Sequence, residues 1–180
     1  MNKELIKESI YNLLKAVGED PERDGLKDTP ERVVKMYSEI LSYPEINYTT
    51  FEDKYDDIVM VKNIEFCSMC EHHLLPFYGI AHVAYIPNGK IIGLSKIARI
   101  VEKYSRRLQV QERMTDDILN ELKEKLGTDN LAIYVEAKHM CMIARGVKKE
   151  LSATITTKLS GVFKNDRKND FYFLLDKCNY

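Results

Sequence analysis

Two short stretches hold most of the side chains able to bind a soft metal ion or move a proton. Phe66-Cys67-Ser68-Met69-Cys70-Glu71-His72-His73-Leu74-Leu75-Pro76 gathers two of the chain's four cysteines and two of its four histidines within seven residues. Far downstream comes His139-Met140-Cys141-Met142-Ile143-Ala144-Arg145-Gly146. Thiolate sulfur and imidazole nitrogen are donors that zinc favours. A Cys, a His three residues on and a distant Cys supply three protein ligands and leave a fourth position open. That arrangement belongs to catalytic zinc more often than to structural zinc.

Duller readings compete. Cys67 and Cys70 form a C-x-x-C, which is also half of a closed zinc site or a redox dithiol. A ribbon-type site needs a second C-x-x-C, and the chain has none. A redox dithiol belongs at a helix N-terminus in a βαβ setting, whereas here histidines follow at once. On extended backbone His72 and His73 point to opposite faces, so one ligates and the other does not. His139 and Cys141, two apart on a strand, share a face about 7 Å apart, which suits a ligand beside an acid/base group. His82, between Ala81 and Val83, reads as a packed or interface histidine.

The elements that must position these groups show in the periodicity. Leu5, Ile6, Ile10, Leu13, Leu14 and Val17 recur at helical spacing, and Gly18 is placed to end that helix. Turn chemistry marks Asp20 to Gly25 as a loop. A second helix opens at Thr29-Pro30 with Thr29 as cap, buries Val33, Val34, Met36, Tyr37, Ile40 and Leu41, and is followed by Pro44. Tyr43 to Asp57 reads as a connection. Strands are expected over 58–66 and 78–86, antiparallel, with the Cys/His cluster in their connection and a turn at Pro87-Asn88-Gly89. Ser95 is expected to cap a helix through Tyr104, and an amphipathic run from Val110 to Leu126 stops at Gly127. Strands follow at 131–141 and 152–163, then a short helix at about 170–177. The order predicts an α+β fold, with a four-stranded antiparallel sheet, helices on one side, an N-terminal helical segment over 1–50 and a catalytic unit over 51–180.

Composition narrows the class. At 180 residues the chain builds one good core, and 44% hydrophobic with 31% charged residues describes a globular protein. A net charge of -1 provides no basic field for nucleic acid or anionic membrane. No apolar run approaches a membrane span, and the charged start is not a secretory signal. The cysteines are therefore expected to be reduced, in the cytoplasm, and available to metal, with Cys178 an incidental thiol. No long extension precedes the first helix, so a regulatory tail is not expected.

Four motifs now carry a resemblance: Ser68-Met69-Cys70-Glu71-His72-His73, Ile92-Gly93-Leu94-Ser95-Lys96, Gln109-Val110-Gln111-Glu112-Arg113, and His139-Met140-Cys141-Met142 with Arg145-Gly146-Val147. In this order, across about Thr29 to Phe163, they resemble the zinc-dependent GTP cyclohydrolase I family. The resemblance implies the T-fold, a homodecamer with active sites between subunits, and conversion of GTP to 7,8-dihydroneopterin triphosphate with release of formate, the first step of folate and pterin biosynthesis. It implies one Zn2+ per subunit on Cys70, His73 and Cys141, with His72 and His139 as the acid/base histidines. Ser95 is counted with them in the catalytic group. Cys67 departs from the family pattern, in which that place often holds a residue without a thiol.

The chemistry is consistent with those roles. Opening the five-membered ring of a purine needs water to attack C8, and neighbouring histidines suit proton transfer near neutral pH. One carboxylate accepts both N1–H and the 2-amino group of guanine, and would be left unpaired by adenine. Glu112 fits that position, with Gln111 beside it. No phosphate-binding G-x-x-x-x-G-K-[ST] loop is present, so the triphosphate is expected at the helix start near Ser95, Lys96 and Arg99. The resemblance adds Arg145, and Arg32 with Lys35 contributed by a neighbouring subunit. Two other classes stay open: a nitrile reductase on a similar fold, using a cysteine nucleophile with NADPH and no ligand triad, and a non-enzymatic zinc-stabilised oligomerisation module.

Overall fold

Residues pack into two compact units, Met1–Ser42 and Tyr43–Tyr180. The computed structural model describes residues 1–43 and 45–177; Pro44 and Cys178, both given expectations above, lie outside the described residues. In the first unit α1 (Lys3–Ala16) is capped by Asn2, whose side-chain oxygen accepts from the Leu5 N–H at 3.1 Å. Helix α2 (Thr29–Ile40) packs on α1 and buries Pro30 and Val34. Its cap position is Asp28, so Thr29 already belongs to the first turn, and Pro30 there costs no helical bond.

The second unit is built on a sheet with strand order β5-β2-β3-β6-β7. Strands β2 (Val59–Cys70), β3 (Pro76–Tyr85), β6 (Leu131–His139) and β7 (Thr154–Leu159) are the four antiparallel strands expected. The structure adds β5 (Leu108–Gln109), a two-residue strand running parallel to the end of β2. A separate ribbon, β1 (Thr50–Glu52) with β4 (Lys90–Ile92), lies within and beyond the segment read as a connection. Three residues of alternating type are too few to register as a periodic signal.

Alternation sorts the sheet's residues onto two faces. On one, Ala81, Val83 and Tyr85 of β3 and Leu131, Ile133 and Val135 of β6 meet α3 (Leu94–Ser105) and α4 (Gln111–Leu126). Ile97, Ile100, Met114, Ile118 and Leu122 are fully buried there, each worth about 1.5–3 kcal/mol of transfer energy. Gly127, at φ 65, ends α4 as its position in the sequence suggested. On the other face Ala84 and Ala132 are covered by Phe163 and Phe171, from a 3-10 turn (Gly161–Lys164) and α6 (Lys168–Asp176). The last helix therefore lies across the sheet from α3 and α4. The strand expected over 152–163 is shorter because Gly161, at φ 56, turns the chain where a Cβ would strike Asn130 Oδ1 at 2.2 Å.

One contact sets the spacing of the middle of the sheet. Gly79 of β3 faces Ala137 of β6, and a Cβ at Gly79 would sit 1.9 Å from the Glu136 carbonyl oxygen. Two residues away in the same register, Phe77 lies opposite His139. The backbones approach closely beside the residues that matter most for chemistry.

Candidate metal centre and active site

Strand β2 runs on past its expected end to Cys70, which is buried and pairs with Gln109 of β5. The chain then reverses within Glu71 to Leu74. Cys70 N donates to Leu75 O at 2.9 Å, Leu74 N donates to Cys70 O at 2.9 Å, and Leu74 takes a left-handed φ of 52. That turn is rare for a branched residue and leaves His72 and His73 exposed, their rings 6.4 Å apart and nearly perpendicular. The backbone at His72 and His73 is therefore a turn and not the extended stretch on which their opposite-face reading rested.

The second cluster departs from its expected form. Strand β6 ends at His139, and Met140–Ile143 forms α5, a single helical turn carrying Cys141. Cys141 and His139 thus do not share a strand face. The helical turn brings Cys141 toward Cys70 and His73, and the donor atoms of these three lie within 4.8 Å of one another. Cys67, exposed on β2 while Cys70 is buried, belongs to the opposite face and takes no part in the group. The same geometry separates the two C-x-x-C thiols that a disulfide would have to join.

Two sulfurs and one imidazole nitrogen form a donor set that fits zinc, with a tetrahedral corner unfilled by protein. Without a cation the set is mutually unfavourable for charge: burial pushes the Cys141 thiol up, and the nearby Cys70 pushes it further, with Arg145 acting weakly against them. A divalent ion in such a place reverses that preference. Arg145 reaches the group directly, its Nη1 lying 2.8 Å from His73 Nε2.

His139 is held from two sides. Its ring stacks on Phe77 at 4.7 Å between centroids and 1° between planes, and its Nε2 lies 2.8 Å from Gln111 Oε1. Burial lowers its pKa, while the charge of Glu112 acts in the raising direction. Gln111, the first residue of α4, was expected beside the purine, yet its side chain is only 1% exposed. Its amide nitrogen donates to Val135 O at 3.1 Å, Thr154 O at 3.0 Å and Thr156 Oγ1 at 3.2 Å. The side chain expected to meet substrate is spent inside the protein.

Glu112 is exposed and makes no side-chain hydrogen bond among the described residues. Ser95 is not the cap of α3: Gly93 holds that position with no side-chain cap bond, and Ser95 follows within the first turn. Ser95 and Arg99 are exposed and Lys96 half-buried. Their helix start still offers the free N–H groups on which the phosphate expectation rested. Arg32 and Lys35 stand exposed on α2 of the N-terminal unit, Arg32 paired with Asp28 at 3.4 Å. His82 is buried against Tyr134, in keeping with its reading as a packed histidine.

Two residues given no role above prove to tie the site together. Arg113 grips Glu71 with both guanidinium nitrogens, at 2.8 and 3.0 Å, fastening the Cys70–Leu75 turn to the start of α4. Arg113 holds the Glu71 carboxyl below its usual range. The partners are 42 residues apart, so no local spacing announces the pair.

With this geometry in view, comparison with known proteins is decisive. The GTP cyclohydrolase I family profile matches residues 6–175. The chain belongs to the GTP cyclohydrolase I family. The GTP cyclohydrolase 1 of Streptococcus thermophilus is 52% identical over 173 residues, covering 93% of this chain and 92% of that protein. That of Sulfurihydrogenibium sp. is 50% identical over 176 residues, covering 97% and 94%, and that of Clostridium kluyveri 47% identical over 182 residues, covering 97% and 98%. Among solved structures, the apo form of an archaeosine synthase QueF-Like overlays with a TM-score of 0.49 at 18% identity, over 58% of this chain and 93% of that one. GTP cyclohydrolase I membership accounts for all four motifs at once, and it places both Cys/His clusters within the matched span.

Proposed function

We propose that this chain is a zinc-dependent GTP cyclohydrolase I that opens the imidazole ring of GTP, releases formate and rearranges the product to 7,8-dihydroneopterin triphosphate. The observation that supports this most is the convergence of Cys70, His73 and Cys141 from the ends of β2 and β6, at one end of the sheet and beside His139. Cys70, His73 and Cys141 would hold the zinc ion. Bound there, zinc would supply a Lewis acid that lowers the pKa of water to about 7. His139 and His72 move protons, His139 near the base and His72 on the ribose side. Glu112 accepts from N1–H and the 2-amino group of guanine. The α3 start with Ser95, Lys96 and Arg99, together with Arg145 and with Arg32 and Lys35 contributed by a neighbouring subunit, receives the triphosphate, and Ser95 lies with the catalytic group.

The assembly we propose is a homodecamer with active sites between subunits. Strand β7 pairs only with β6 among the described residues and exposes Ile155, leaving an edge able to continue into another copy. We place the protein in the cytoplasm, where Cys67, Cys70 and Cys141 stay free thiols. No helix of the described residues is long and apolar enough to cross a membrane. The test is a metal assay paired with turnover of GTP, read by pterin absorbance, before and after chelation. Metal at one equivalent per chain with turnover that falls on chelation and returns with zinc is expected; full turnover after complete removal of metal would overturn the reading.

A further inference from the structure

We propose that Gln111 is a positioning residue that fixes the neutral His139 ring as the tautomer with its hydrogen on Nε2 and its lone pair on Nδ1. The hydrogen bonds around Gln111 admit one assignment. Its Nε2 faces the carbonyl oxygens of Val135 and Thr154, which only accept, so the amide nitrogen must be on that side. Reversing the amide would set its oxygen against both carbonyls. The oxygen therefore faces His139 Nε2 at 2.8 Å, and because an amide oxygen only accepts, the ring nitrogen carries the hydrogen.

The neighbouring hydroxyls agree. Thr115 Oγ1 donates its single hydrogen to the Gln111 carbonyl at 2.8 Å. Thr156 Oγ1, 2.7 Å from Thr115 Oγ1, must then be the donor in that pair, which leaves it free to accept from Gln111 Nε2 at 3.2 Å. The two Gln111 amide hydrogens serve three acceptors, Val135 O, Thr154 O and Thr156 Oγ1, so one of them is shared. Gln111 is 1% exposed and Thr115 2%, so water does not compete. Phe77, stacked on the ring, holds its plane.

Neutral His139 then carries Nε2–H and a lone pair on Nδ1. The opposite tautomer would oppose two lone pairs across 2.8 Å. The inference rests on the reading of His139 as an acid/base group, yet the position of the ring hydrogen is measurable without turnover.

The test is a two-bond proton–nitrogen correlation spectrum of the full-length, zinc-loaded chain labelled with 15N-histidine. The chain has four histidines, and His139→Asn identifies the signal by its loss. At a pH where His139 is neutral, a pyrrole-type Nε2 and a pyridine-type Nδ1 are expected. A pyrrole-type Nδ1, or an even mixture, overturns the proposal. Gln111→Leu is expected to mix the tautomers and lower kcat for GTP about 10- to 100-fold with KM little changed. A merely structural role predicts no change of tautomer in Gln111→Leu, and unchanged kcat there counts equally against the idea. If the chain shows no turnover of GTP at all, the proposed function fails while the wild-type spectrum still decides the tautomer.

Discussion

The turn after β2 and the start of α4 supply neighbouring parts of one site by opposite means. The turn is exposed at His72 and His73 and is shaped by two backbone hydrogen bonds, a left-handed Leu74 and a surface fork to Arg113. The start of α4 is sealed, with Gln111 bonded to Val135 of β6 and to Thr154 and Thr156 of β7. Donors for a metal can be assembled on a pliable turn because the ion itself completes the geometry. A histidine that must present one particular nitrogen has no such helper, so its orientation has to come from buried, directional contacts.

Substitutions at the two places should therefore fail in different ways. Cys141→Ala should have the largest effect, losing metal and turnover together; metal analysis showing retained zinc would remove Cys141 from the ligand set. His139→Ala should keep the metal and lose about 10²–10⁴ in kcat, and if metal is lost as well, the separation of ligand from proton carrier is wrong. Gly79→Ala, by forcing β3 and β6 apart beside Phe77 and His139, should cost about 2–3 kcal/mol of stability in denaturant unfolding. Arg113→Ala removes a fork on a half-exposed pair, so stability should fall by no more than about 1 kcal/mol, with zinc affinity the more sensitive readout. Leu74→Gly should be the mildest, stabilising by up to about 1 kcal/mol through relief of the left-handed φ, since Leu74 is 52% exposed and little packing is lost. A large drop in melting temperature there would show the turn to be more rigid than its contacts imply.

Much of this could be read in advance. Helix spacing, the Gly127 stop and the four long strands follow from local pattern, because 3.6- and 2-residue periods reflect which side of an element meets the core. Caps were less legible: Asp28 and Gly93 stand where Thr29 and Ser95 were expected, since neighbouring residues compete for one terminal position and tertiary packing selects between them. Strand ends behaved likewise, with β2 continuing to Cys70 because β5 arrives to pair with it from forty residues away.

The chemistry divides along the same line. Residue types and spacing marked the two Cys/His clusters as able to hold a metal, and the family resemblance implied Cys70, His73 and Cys141 as donors with His139 as a proton carrier, because donor atoms are properties of side chains and survive translation into sequence. Which way those atoms point is a property of contacts. The helical turn that swings Cys141 toward Cys70, the fork from Arg113 to Glu71, and the burial that turns Gln111 from a substrate contact into a partner for His139 all join residues far apart along the chain. Only folding brings such pairs within hydrogen-bonding distance, and no local window of sequence contains both members.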